Sequence, residues 1–246
     1  EMSIVNGLHD VLNERWSHLI KNPLKQWIWD VRIPLFTPEI ATGKASQLQN
    51  KRVLFIGTDM AVGKMTAGLE LYSWLLEHKK KVGFVATGQI GITITGKGIP
   101  LDAFKVDHAC GAVEQVVLDQ ADKDIILIEG QGSLLHPGST ATLPLMRGSC
   151  PTHLILCLRA EKKTLRSPKH IKIPDLNDFI TLNESLASVF GTFSRSRVIG
   201  IAANTSMLSE SEAKAYLSKT SKYTGLVTTD PIRYGIATIG EQILMS

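Results

Sequence analysis

The sequence predicts an α/β protein with a mostly parallel sheet and helices on both faces. Two observations predict it. Short apolar runs at 53–56, 82–86, 125–128, 154–158 and 198–203 alternate with segments of helical periodicity. Strands that read as continuous apolar runs are buried on both faces, which is the situation in a parallel sheet covered by crossover helices. The first of these runs ends in a glycine-bearing loop that opens a helix, the setting of a phosphate-binding loop.

The elements follow in order. A short helix is expected over 8–20, with Leu8, Leu12, Trp16 and Leu19 at helical spacing and Pro23 beyond its end. Three of the four tryptophans, Trp16, Trp27 and Trp29, fall in this first stretch. Residues 28–33 read as a short extended piece closed by Pro34 and Pro38, and 41–50 as a polar linker or surface loop. The strand at 53–56 leads to a helix over 63–77, with Leu69, Tyr72, Leu75 and Leu76 on one face and Lys79, Lys80 and Lys81 complementing its C-terminal dipole. After the strand at 82–86 comes a glycine-rich stretch with Gly88, Gly91, Gly96 and Gly98, either a lid or a turn-rich loop. A helix over 109–121 turns Val113, Val116 and Val117 inward, and Asp175 caps a helix carrying Leu176, Phe179, Ile180 and Leu186. A helix at 209–218 and a last short strand at 225–227 complete the chain.

Composition bounds the function. The 246 residues are 43% hydrophobic and 20% charged, as in an ordinary globular protein with a sizeable core. A disordered or collagen-like chain is excluded. The formal charge of +4 reads as small and scattered, which gives no case for nucleic acid. No apolar run approaches the ~20 residues of a membrane helix. Cys110, Cys150 and Cys157 form no C-x-x-C pair and no signal peptide precedes them, so a reducing, cytoplasmic setting is expected. Nothing in their spacing suggests a metal site, and no metal is expected. The chain begins at Glu1 rather than Met, as a fragment or processed product would.

The sharpest motif is Gly57-Thr58-Asp59-Met60-Ala61-Val62-Gly63-Lys64-Met65-Thr66. Its glycines let backbone N–H groups converge on an anion, the helix N-terminus adds positive partial charge, and Lys64 adds a full one. Five residues rather than four separate Gly57 from Gly63, and Met65 stands where a Ser or Thr normally holds Mg²⁺. A thioether is a poor ligand for a hard cation. Phosphate binding is therefore expected, and Mg²⁺-nucleotide chemistry is weakened.

Further candidates sit at predicted strand ends. Glu129, in Glu129-Gly130-Gln131-Gly132-Ser133, belongs at the ligand edge of an open sheet, where it could hold a metal, orient water, act as a base or simply cap a neighbouring element. Asp107 is a second base candidate or an N-cap, and His136 a third base candidate or a surface histidine. Asn204 could read a purine edge or end its strand in a turn. Arg233 could bind a phosphate or carboxylate or be a surface charge, and Arg233, Arg147 and Arg32 are candidates for the substrate carboxylates by charge alone.

The phosphate loop, with its five-residue spacing, resembles that of dethiobiotin synthetase, and Glu129-Gly130-x-Gly132 resembles that enzyme's acidic glycine loop. Together with Ala86-Thr87-Gly88-Gln89 and Asp230-Pro231-Ile232-Arg233, these motifs more closely resemble the P-loop family that includes D-glutamate N-acetyltransferases. The resemblance covers about residue 51 to the C-terminus. It implies a P-loop NTPase-like domain over 51–246, preceded in 1–50 by the remnant of a Rossmann-like domain plus linker, with Gly7-Leu8-His9 and Asp30-Val31-Arg32 as matching pieces. It further implies acetyl transfer from acetyl-CoA to the amine of an acidic D-amino acid. The base candidates are Glu129, Asp107 and His136, in that order. The donor would lie on Gly57, Thr58, Asp59, Ala61, Val62, Gly63, Lys64, Met65, Thr66, Gln131, Asn204 and Arg233. The alternatives are an ATP/Mg-dependent ligase or kinase and a non-catalytic nucleotide-binding module. A small-molecule substrate and a homo-oligomer are expected, without nucleic acid or membrane partners.

Overall fold

The computed structural model describes residues 2–246. Its main sheet has six parallel strands, side by side in the order 82–85, 125–128, 51–57, 153–159, 197–204 and 228–229. They are β3 (Lys51–Gly57), β4 (Val82–Val85), β5 (Ile125–Ile128), β6 (His153–Arg159), β7 (Arg197–Asn204) and β8 (Thr228–Thr229). The helices that connect and cover them are α2 (Lys64–Glu77), α3 (Gln89–Thr95), α4 (Val106–Leu118), α5 (Thr142–Ser149), α6 (Leu176–Ser188), α7 (Glu210–Thr224) and α8 (Ala237–Met245).

Alternate residues of each strand feed two cores, because side chains point to opposite faces along a strand. Leu54, Ile56, Ile126, Ile128, Leu154 and Leu156 pack on one side with Val113 of α4 and Leu145 of α5. Val53, Phe55, Leu127 and Ile155 pack on the other with Leu71 and Leu75 of α2 and Ile239 and Ile243 of α8. The expected architecture is therefore the observed one. All six strands run parallel, so their C-terminal ends share one edge, and β3 delivers the phosphate loop to the middle of it.

The differences have local causes. On α2 Leu75 is buried as expected and Leu71 is buried beside it, while Leu76 is exposed. The glycine-rich stretch folds as α3, with Gly96 in the left-handed region (φ 73°) ending the helix. Gly225 is likewise a left-handed cap (φ 71°), closing an α7 that runs to Thr224, so the last strand falls later, at β8. Asp107 lies in the first turn of α4, whose N-cap is Lys105, and its side chain makes no cap bond there. Asp175 does cap α6, accepting from Asn177 N–H at 2.8 Å.

At the N-terminus β1 (Ile4–Asn6) and β2 (Ile28–Asp30) form a separate two-stranded parallel ribbon. The helix expected over 8–20 shrinks to α1 (Leu12–Trp16) and a 3₁₀ turn, Ser17–Leu19. Leu8, Trp16 and Leu19 are exposed, so the apolar spacing meets no surface to bury it. Asp30 holds what remains by accepting from Leu12 and Asn13 N–H at 3.0 and 2.7 Å.

Candidate active site

The phosphate loop leaves β3 at Gly57 and is held on three sides. Thr58 N–H donates to the Cys157 carbonyl on β6 at 3.1 Å. Buried Asp59 accepts from Met60 N–H through Oδ1 and from Arg166 N–H through Oδ2, each at 2.7 Å. The Arg159 guanidinium donates to the Ala61 carbonyl at 3.1 Å. Ala61 and Gly63 both have positive φ, 53° and 104°. For alanine that conformation is uncommon, and such strain collects at ligand-binding loops. Gly63 is the N-cap of α2 and supplies no side-chain cap, which leaves the first backbone N–H groups of the helix to the loop.

Lys64 is buried beneath this loop, and its Nζ donates to the Asp59 carbonyl at 2.9 Å. Burial pulls its proton affinity down, against the opposing pull of Cys157, Asp59 and Glu129. Gly130 lies against the lysine stem. A Cβ at Gly130 would stand 2.9 Å from Lys64 Cδ.

Glu129 comes off the end of β5 and is only 3% exposed. Its Oε2 accepts from Thr87 and Gly88 N–H at 2.8 and 3.1 Å, and its Oε1 from the Gln131 amide at 3.3 Å. Burial raises its pKa, against the two backbone donors and Lys64. The carboxylate thus holds the turn that begins α3. Gln131 in turn lines a cleft of about 870 Å³ together with Met60, Gly88, Phe104, Leu143 and Arg147.

On the other flank of the loop, Gly63 and Thr66 share a cavity of about 300 Å³ with Asn204, Asp230, Ile232 and Arg233. Asn204 Oδ1 accepts from Ser206 N–H at 3.0 Å. Asp230 braces the wall, accepting from Thr205 N–H at 2.9 Å, Thr205 Oγ1 at 2.5 Å, Ile232 N–H at 3.0 Å and Arg233 N–H at 3.2 Å. The Arg233 guanidinium donates to the Leu208 carbonyl at 2.7 Å. Met65 is half-buried on the first turn of α2, while Thr66 faces this cavity.

The structure therefore gathers the phosphate loop, Glu129, Gln131, Asn204 and Arg233 along one sheet edge. It places the other two base candidates differently. Asp107 lines an adjoining cavity of about 420 Å³ with Thr42 and Phe193, which shares Cys110 and Arg147 with the cleft. His136 accepts from Gly138 N–H through Nδ1 at 3.1 Å, which makes Nε2 the protonated nitrogen that donates to the Ser167 carbonyl at 2.6 Å. Both ring nitrogens are thus occupied in pinning one loop to another. Arg32 pairs with Asp102, and Arg147 donates to the Leu186 carbonyl at 2.8 Å. Among the described residues no three His, Cys, Asp or Glu side chains cluster closely enough to hold a metal ion. No helix among them is long and apolar enough to cross a membrane.

One segment escaped the reading of whole-chain charge. Residues 159–173 carry six basic residues and one acidic, so the positive charge is concentrated rather than scattered. A local charge count would have found it.

Comparison with known proteins agrees with this geometry. Residues 39–240 match the family model described as "Domain of unknown function (DUF1611_C) P-loop domain". A D-glutamate N-acetyltransferase of Pseudoalteromonas sp is 35% identical over 241 residues, 97% of this chain and 71% of that protein. One from Tritonibacter scottomollicae is 36% identical over 234 residues, 94% of this chain and 69% of that protein. The crystal structure of a DUF1611 family protein from Anabaena variabilis aligns with a TM-score of 0.94 at 45% identity, over 100% of this chain and 72% of that one. With the phosphate loop and the whole six-stranded sheet inside the matched residues 39–240, this chain belongs to the DUF1611 family.

Proposed function

We propose that this chain is an N-acetyltransferase that moves an acetyl group from acetyl-CoA to the amine of D-glutamate. Two relatives of that name, similar over nearly the whole chain, support the activity. The observation that carries the donor is the phosphate loop standing between two cavities of different size. Coenzyme A is a nucleotide diphosphate with a long acyl-bearing arm. Its adenine suits the smaller cavity beside Asn204, its pyrophosphate the loop N–H groups and Lys64, and its thioester arm the larger cleft past Met60. Met65 favours this donor over a Mg²⁺ nucleotide, because a diphosphate can be neutralised by Lys64 and the loop without a metal.

The acceptor amine enters as an ammonium and must lose a proton before it attacks. Glu129 is the buried carboxylate behind the cleft wall, bonded to Gly88 N–H and to Gln131, which line the cleft, and burial raises its pKa. Only the long Gln131 contact engages its Oε1. In the reaction the ammonium gives one proton to Glu129 and the amine attacks the thioester carbon. Backbone N–H groups around 130–132 stabilise the oxyanion, the C–S bond breaks, and the leaving thiolate takes the second proton of the attacking nitrogen to become free thiol. The net products are the amide, the thiol and one proton. Arg147 lines the cleft and is the candidate by charge for an acceptor carboxylate, with one guanidinium nitrogen already donating to the Leu186 carbonyl.

The preceding 1–50 fits the tail of a Rossmann-like domain. A parallel ribbon of three residues per strand is too small to be stable alone, and its apolar surface at Leu8, Trp16 and Leu19 is of the kind a larger sheet would cover.

The test is thiol release from acetyl-CoA with D-glutamate in the presence of a chelator, with L-glutamate, ATP and Lys64→Ala as controls. Release that needs D-glutamate and Lys64 is expected. Turnover that instead needs ATP and Mg²⁺ would overturn the reading.

A further inference from the structure

We infer that residues 159–173 form a second anion site beside the phosphate loop, which takes a phosphate on the ribose of the bound nucleotide. In the donor proposed above this is the 3′-phosphate of coenzyme A, and to that extent the inference rests on that reading.

The segment is a built arm. Thr164 and Lys172 form an antiparallel bridge, Leu165 N–H donates to the Ile171 carbonyl at 3.0 Å, and Ile173 N–H to the Lys163 carbonyl at 2.9 Å. Leu165 is buried and anchors it. Arg166 N–H on Asp59 and the Arg159 guanidinium on Ala61 tie it to the loop, and His136 ties its far end at Ser167. Between arm and loop lies a cavity of about 400 Å³ whose walls carry the cations of Arg159, Lys162, Arg166 and Lys169.

Those cations have no acid to answer them. Asp59 is the one carboxylate of that wall, and its two oxygens are taken by the N–H groups of Met60 and Arg166. Among the described residues no ion pair involves Lys162, Arg166 or Lys169. Like charges gathered around a cavity repel, so the arrangement gains energy only when an anion enters.

The position selects the anion. Val62 lines both this cavity and the one beside Asn204. Arg159 is the register partner of Asn204 across β6 and β7. A nucleotide with its base at Asn204 and its diphosphate on the loop therefore presents its ribose at the boundary of the two cavities. A phosphate on that ribose reaches the arm. The carboxylates of the amino-acid acceptor are the competing anion.

The experiment compares acetyl-CoA with acetyl-3′-dephospho-CoA in the wild type and in a Lys162→Ala/Lys169→Ala variant, chosen because both side chains are exposed and bear no hydrogen bond of the fold. Calorimetry with ADP and with 3′-phospho-ADP runs beside it and needs no turnover. The wild type should prefer the 3′-phosphorylated form of each pair by about tenfold or more, the worth of one or two charge-assisted contacts. The variant should narrow that preference toward unity. Equal affinity for ADP and 3′-phospho-ADP in the wild type overturns the inference. So does a variant that keeps the preference, or one that instead raises KM for D-glutamate and so marks the arm as an acceptor site. A preference in binding without acetyl transfer from either donor would uphold the arm and sink the acetyltransferase reading.

Discussion

Gly130 lies against the main chain of β3 so closely that a Cβ on it would collide with the Phe55 carbonyl oxygen. The residue after the candidate base is thus what lets β5 and β3 stay paired while the Lys64 stem passes beneath. Gly130→Ala should force the two strand ends apart and cost about 1–3 kcal/mol or more, as overpacking does. Gly63 makes the contrast, since a Cβ there meets nothing within 4 Å and only its φ of 104° opposes a side chain. Urea midpoints of the two alanine variants should fall in that order, with Gly130→Ala the lower. The reverse order would mean that backbone strain outweighs the steric contact.

Lys64 should trade stability for binding. Its pKa is lowered by burial, so folding binds fewer protons than the unfolded chain, and the charged lysine is a burden to the fold at neutral pH. Lys64→Met keeps the apolar stem and removes the charge. Thermal stability should hold or rise, while affinity for coenzyme A falls at least about tenfold. A variant that melts far below the wild type would show that the bond to the Asp59 carbonyl is worth more than the desolvation it requires.

Glu129→Gln separates holding from chemistry. Glutamine can still accept from Thr87 and Gly88 through its carbonyl oxygen, so the turn before α3 should survive. Turnover should fall by about 10²–10⁴-fold if the carboxylate takes the ammonium proton. The wild-type rate should also fall on acidification through a limb that lies above the ordinary carboxylate range, because burial raises this pKa and the base acts only when ionised. Full turnover in the variant would leave Glu129 as a turn-holder alone.

How much of this was visible beforehand depends on the range of the interactions. The five apolar runs could be read because strands buried on both faces lack polar interruption, and the phosphate loop because its glycines and lysine are consecutive. The bonds of Glu129 to Thr87 and Gly88 span 42 and 41 residues, and no local pattern reports them. Helix α5 was missed because Pro144 and Gly148 break its periodicity. The helix expected over 8–20 failed for the opposite reason, a good apolar spacing with no surface to receive it. For His136 the sequence leaves a base and a surface histidine both open, and its bond to the Ser167 carbonyl, 31 residues on, lies beyond any local pattern.

His153 begins β6, with Nδ1 at 2.8 Å from Thr152 Oγ1. Burial and the neighbouring charges of Lys51 and Arg52 pull its pKa from 6.5 to about 4. Arg52 is fixed there, its guanidinium donating to the carbonyls of Ser149, Cys150, Leu48 and Asn50. Between pH 4 and 6.5 the unfolded chain binds a proton that the folded chain refuses. Stability from this group is therefore complete above 6.5 and is lost as pH falls toward 4, by at most about 1.4 kcal/mol per pH unit. Glu129 acts with the opposite sign. Its raised pKa makes the folded state bind the extra proton, so its contribution weakens as pH rises through the window between its unfolded and folded values. Urea unfolding from pH 4 to 7.5 in the wild type and in His153→Asn isolates the histidine. The variant should lose the rise in stability between pH 4 and 6.5, and an unchanged slope would show that His153 is protonated in the folded protein.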